Sequence, residues 1–131
     1  MKKAISILLL ATLLVFTVLS TSGMAEVRAS VAFKVTTIAL TDDMYVEFRA
    51  TTNNVYDTIK ISSCTLQVMD GSTVSSSKSL TPPSTTATNT DMFVASANYK
   101  SEVSSGNSYR IKAVFWADGY TVTAYSRIVS F

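Results

Sequence analysis

Residues 108–131 read SYRIKAVFWA, then Asp118-Gly119, then YTVTAYSRIVSF. Tyr109, Ile111, Ala113 and Phe115 alternate with Arg110, Lys112, Val114 and Trp116. A strict period of two is the signature of a half-buried β-strand. Asp-Gly between two such runs predicts a two-residue hairpin turn, because both central residues must adopt positive φ. With Asp118 and Gly119 as the turn, Ala117 faces Tyr120, Trp116 faces Thr121 and Phe115 faces Val122, down to Tyr109 with Ile128. One face then carries Tyr109, Ile111, Ala113, Phe115, Tyr120, Val122, Ala124 and Ile128, and is the expected core face. The other carries Arg110, Lys112, Val114, Trp116, Thr121, Thr123, Tyr125 and Arg127, and is the expected outer face. A slip of one residue would invert the two sets.

The same pattern extends toward the N-terminus. Strands are expected at residues 30–40, 44–52, 58–69, 73–80 and 92–100, ahead of 108–117 and 120–131. The apolar phase of 58–69 shifts from Ile59 and Ile61 to Cys64, Leu66 and Val68, which predicts a bulge near Ser62-Ser63. Thr41-Asp42-Asp43 reads as a turn, Asn53-Asn54 as a break, and Asp70-Gly71 as a second hairpin. Residues 73–80 are polar, as suits an edge strand. Residues 81–90, with Pro82-Pro83 and five threonines, read as a loop. About 30% of residues 26–131 are Ser or Thr, which with Val, Ile, Tyr and Phe is a β-forming composition. The fold class expected is all-β: a single seven-stranded antiparallel β-sandwich over residues 26–131.

Val103-x-x-Gly106-x-x-Tyr109 resembles the corner that carries a buried tyrosine in fibronectin type III and immunoglobulin-like domains. The core disulfide and strand-three tryptophan of immunoglobulin domains are absent. The chain is also similar to small secreted Firmicutes proteins of unknown function, in its leader, its Ser/Thr-rich strands and its terminal hairpin. That resemblance implies an immunoglobulin-like sandwich and carries no activity with it.

Lys2 and Lys3 precede an apolar run from Ala4 to Leu19, followed by small residues through Ala25. This is the layout of a cleaved secretory signal peptide, residues 1–25; the run is short for a membrane span. Of 131 residues, 106 would remain, enough for one core. The whole chain has 11 basic and 9 acidic residues, so the mature part, without Lys2 and Lys3, has 9 of each. Such balance gives no electrostatic case for nucleic acid, or for a membrane after signal cleavage. Cys64 is the only cysteine, so no internal disulfide forms. Its apolar neighbours point to a buried thiol, with a reactive or bridging thiol as the alternative.

Two constellations are candidates for function. On the outer face, Trp116 and Tyr125 lie with Lys112 and Val114. Flat aromatics on an outer strand can stack on sugars or anchor a protein; alternatively, loop 81–90 covers Trp116. Separately, Asp57, Asp91 and Asp118 fall near loops at one end, and three carboxylates suit calcium, although aspartate also favours turns for local reasons. Catalysis is not expected, and neither is a cofactor. With no histidine, Ser-His-Asp and Cys-His nucleophiles are excluded. Ser75-x-x-Lys78 matches a penicillin-binding motif without its remaining elements, and nothing places Glu47 beside Glu102 for glycoside hydrolysis. A terminal Phe131 suits an outer-membrane barrel, but Arg127 would then face lipid. The expectation is a secreted bacterial non-catalytic binding module for a cell-surface glycan or protein. The alternative is a self-assembling extracellular protein pairing through residues 73–80 or the outer face.

Overall fold

The computed structural model describes residues 31–131; the expected signal peptide, residues 1–25, lies outside the described residues. The fold is all-β. Its strands are β1 (Phe33–Leu40), β2 (Tyr45–Asp70), β3 (Thr73–Leu80), β4 (Thr86–Asn98), β5 (Ser108–Ala117), β6 (Tyr120–Tyr125) and β7 (Val129–Ser130). A single 3-10 turn, Lys100–Glu102, joins β4 toward β5. All pairings are antiparallel, and the seven strands form one sheet that curls into a half-barrel.

The organising element is β2, a strand of 26 residues. The break expected at Asn53-Asn54 is a kink within it. Relative to β4 the register shifts between Thr51 and Tyr56. Side chains hold the kink: Thr52 Oγ1 donates to the Asn54 carbonyl at 2.7 Å, and Asn53 Nδ2 donates to the Val31 carbonyl at 2.9 Å. Asn tolerates such irregular backbone because its side chain can stand in for a ladder partner. The bulge expected near Ser62-Ser63 is present, as a shift between Ile61 and Ser63 against β5. It moves the inward set from Ile59 and Ile61 to Cys64 and Leu66, all buried.

β3 and β4 follow one another along one edge of β2. Leu80 faces Cys64, Thr86 faces Lys60, and Asn98 faces Tyr45. Together with β2 they make one long hairpin whose turn is Gly71-Ser72, one residue beyond the expected Asp70-Gly71 because Asp70 pairs with Thr73, and β1 and β5 share the opposite edge of β2. Residues 86–90, expected as loop, therefore belong to β4. Threonine is a good strand former, and β2 offers these residues a free edge; only 81–85, around the two prolines, stay outside the ladder.

Phe115 sits at the centre of the core, fully buried, with the rings of Phe33, Phe48 and Phe93 edge-on at 6.3, 6.4 and 6.2 Å. Edge-to-face geometry suits the aromatic quadrupole. These rings come from β1, β2, β4 and β5, so the curl of the sheet is fixed by one aromatic cluster. Buried Tyr109 ties down the segment before β5: its Oη accepts the Ser104 N–H at 2.9 Å and donates to the Ser104 carbonyl at 3.1 Å.

The terminal hairpin keeps its expected register from Ala117↔Tyr120 to Lys112↔Tyr125. Asp118 and Gly119 have φ of 47° and 94°, as this turn requires. Beyond Tyr125 the register slips by one, so that Tyr109 faces Val129. Buried Ser126 makes the slip: its N–H donates to the Ile111 carbonyl, and its Oγ accepts the Ile111 N–H, each at 2.8 Å. A hydroxyl thus replaces a strand carbonyl. Ile128, expected in the core, is turned out to 40% exposure, and Val129 is buried in its place. Tyr120, also expected inside, lies beyond the core at the turn and packs edge-on against Tyr56 at 6.0 Å. Arg127 leaves the outer face: Nε donates to the Leu40 carbonyl at 2.9 Å and Nη2 to Asp42 Oδ1 at 2.8 Å. It ties this segment to the β1–β2 turn.

Candidate functional site

The outer surface of β2, β5 and β6 is a lattice of rows set by register. Thr86, Lys60, Trp116 and Thr121 form one row. Ser63, Val114 and Thr123 form the next. Ser79, Thr65, Lys112 and Tyr125 form the third, and Ser77, Gln67 and Arg110 the fourth. The expected residues Trp116, Val114, Lys112 and Tyr125 therefore share this face. Trp116, Val114 and Lys112 are half-buried, and Tyr125 is exposed. Residues 86–90 lie in the plane of the sheet, as β4, and not as a loop laid over Trp116.

Each aromatic ring carries a cation. Lys60 Nζ sits 4.7 Å from the centroid of Trp116, and Arg110 Cζ sits 4.5 Å from that of Tyr125. Such contacts contribute about 0.5–1 kcal/mol at exposed sites. Arg110 is fixed further by Gln67, whose Oε1 accepts from both Nε, at 2.9 Å, and Nη2, at 2.7 Å. Gln67 is itself buried. Lys60 and Gln67 escape the sequence reading because they come from β2. The period-two pattern gives each strand its own faces but not the register between strands far apart in sequence.

The three aspartates divide. Asp118 and Asp57 come together across the β5–β6 turn, where the Asp118 carboxylate accepts the N–H of Asp57 at 2.9 Å and of Thr58 at 3.0 Å. Asp91 lies in β4 at the register break beyond Met92↔Thr51, on the other edge of β2 from Asp118. Among the described residues, no three His, Cys, Asp or Glu side chains gather where they could hold a metal ion.

The remaining chemically distinctive groups are engaged within the fold. Cys64 is buried, and burial pushes its thiol up, opposed by a hydrogen bond with Tyr99. Burial and the neighbouring thiol likewise raise the Tyr99 phenol, whose Oη donates to the Thr81 carbonyl at 2.8 Å. Ser75 Oγ donates to the Val68 carbonyl at 3.1 Å, while Lys78 is paired with Glu102. Glu47 pairs with Arg49 on the opposite half of the sheet from Glu102's partner strand β3. No helix among the described residues is long and apolar enough to cross a membrane.

The chain matches no protein-family model and no curated protein.

Proposed function

We propose that this chain is an exported bacterial binding module, non-catalytic, that takes an extracellular glycan on the outer face of β2, β5 and β6. The carrying observation is that Trp116 and Tyr125 share one outer face, each with a cation on its ring, among rows of Ser and Thr hydroxyls. Rings supply stacking surface and hydroxyls supply hydrogen bonds, the two needs of a sugar-binding face. The tyrosine corner at Tyr109 supports an immunoglobulin-like relationship for the curled sheet. The leader at residues 1–25 supports export. The test is retention of the purified protein on insoluble bacterial cell wall, mucin and plant polysaccharides beside Trp116→Ala. Retention lost on substitution, with an unchanged circular dichroism spectrum, supports the reading. Retention by neither protein on any polymer refutes it.

A second reading is favoured by the long edge formed by β3 and β4. Among the described residues these strands pair only with β2, and Met92 and Val94 on β4 are exposed. An unpaired edge can accept a strand from another copy, so self-assembly is the competing function. Sedimentation that grows with protein concentration, without ligand, would favour it.

A further inference from the structure

The proposed binding face is also a segregated cationic surface. The described chain makes three salt bridges, Arg49–Glu47, Lys78–Glu102 and Arg127–Asp42. None involves Lys60, Lys112 or Arg110, and no Asp or Glu occupies the four rows in which these cations stand. The near-neutral total charge thus hides four rows whose charged side chains are all cations, bounded at the β5–β6 turn by Asp118.

The way Arg110 is held sharpens the point. A buried guanidinium contact is ordinarily made to a carboxylate, which would cancel the charge. Here the buried acceptor is Gln67, a neutral amide that takes two guanidinium N–H groups. Orientation is fixed and the positive charge is left uncompensated. Lys60 is steadied over Trp116, again by a group without formal charge.

We infer that this face recognises an acidic polysaccharide, one whose sugars carry carboxylates, with Lys60, Lys112 and Arg110 meeting the charges and Trp116 and Tyr125 the sugar rings. This rests on the glycan-binding reading above and names its ligand class. Rings beside the cations and hydroxyls between them favour a carboxylated glycan over a phosphate polymer. Along β5, Arg110 and Lys112 are two residues apart, about 7 Å, and the row of Lys60 and Trp116 lies about 13 Å further on. The three cations thus span about 20 Å, the length of several sugar units. The row between them offers the hydroxyls of Ser63 and Thr123 between the charged positions.

The experiment is titration of the purified protein with polygalacturonate, a neutral soluble glucan, inorganic polyphosphate and single-stranded DNA at two salt concentrations. Polygalacturonate should bind at least about tenfold more tightly than the glucan, and weaken as salt rises. Lys112→Gln should weaken it by about fivefold, and the triple change at Lys60, Arg110 and Lys112 to Gln by about a hundredfold. The triple variant should leave the circular dichroism spectrum unchanged. Equal affinity for glucan and polygalacturonate, insensitive to salt, overturns the acidic-ligand inference and leaves the glycan reading standing. Tighter binding of polyphosphate or DNA overturns it in favour of a phosphate ligand. Binding of no polysaccharide removes both the inference and the reading beneath it.

Discussion

Asp118 is the residue at which a structural role and a metal-binding role make opposite predictions. Its carboxylate accepts two backbone N–H groups of β2, from Asp57 and Thr58, at 2.9 and 3.0 Å. Its backbone is left-handed, with φ of 47°. Each hydrogen bond contributes about 1 kcal/mol net; the acceptor's charge raises this and solvent exposure lowers it. In Asp118→Gly both acceptors vanish. The relief of left-handed strain, about 1 kcal/mol, is offset by glycine's greater freedom in the unfolded chain. The expected loss is about 2 kcal/mol. Asp118→Ala loses the same bonds and keeps the left-handed strain with a side chain that tolerates it less well than aspartate, about 2–3 kcal/mol in all. Asp118→Asn tolerates the conformation and keeps one acceptor oxygen, for about 1 kcal/mol. Urea unfolding followed by circular dichroism reads the series. With a slope of about 1.5 kcal/mol per molar, Asp118→Gly should lower the midpoint by about 1.3 M. The midpoints should fall in the order wild type, Asn, Gly, Ala. A glycine variant that unfolds at the wild-type midpoint refutes the clamp. A rise in the wild-type midpoint with millimolar calcium, absent in Asp118→Gly, would show that the carboxylate holds a cation instead.

Three further outcomes are expected. Phe115→Ala removes a fully buried ring and its edge contacts to Phe33, Phe48 and Phe93, and should cost about 4–5 kcal/mol, a large part of a small domain's stability; a urea midpoint within error of wild type would contradict the placement of the cluster. Tyr109→Phe strips the hydroxyl from both Ser104 backbone groups and should cost about 1–3 kcal/mol, read by thermal melting, whereas an unchanged melting temperature would dissolve the tyrosine corner. Cys64 and Tyr99 are both raised in the fold from ordinary values of 9.0 and 10.0, so above about pH 9 the unfolded chain loses protons that the folded chain keeps, and stability falls as pH rises. The urea midpoint should be level from pH 6 to 8 and lower at pH 10, less so in Cys64→Ala; a midpoint that holds at pH 10 would contradict the burial of this pair.

What the sequence made legible was local. Alternation from Tyr109 to Phe115 and the Asp118-Gly119 turn sufficed for the hairpin register, because two-residue turns with positive φ at both positions dictate it. The phase shift around Ser62-Ser63 announced its bulge for the same reason: a period of two shows any extra residue. The differences arise where a side chain substitutes for backbone. Ser126 Oγ takes the place of a strand carbonyl and turns Ile128 out. Asn53 and Thr52 hold a kink where their residue types suggest a turn. A threonine-rich stretch after Pro82-Pro83 became strand because β2 presented an edge to it. The candidate face was half legible. Trp116, Val114, Lys112 and Tyr125 follow from one hairpin, but Lys60 and Gln67 needed the pairing of β2 with β5, which depends on the curl of the whole sheet.

Trp116 is the only tryptophan in the chain, so its fluorescence reports on the proposed face and on no other part of the molecule. The decisive measurement is its emission during titration with a polysaccharide that retains the protein. A saturable change in intensity or wavelength, with the same midpoint as retention and altered by Lys60→Gln, is the predicted result. Retention of the protein with no change in Trp116 emission would contradict the account, because the ligand would then bind elsewhere.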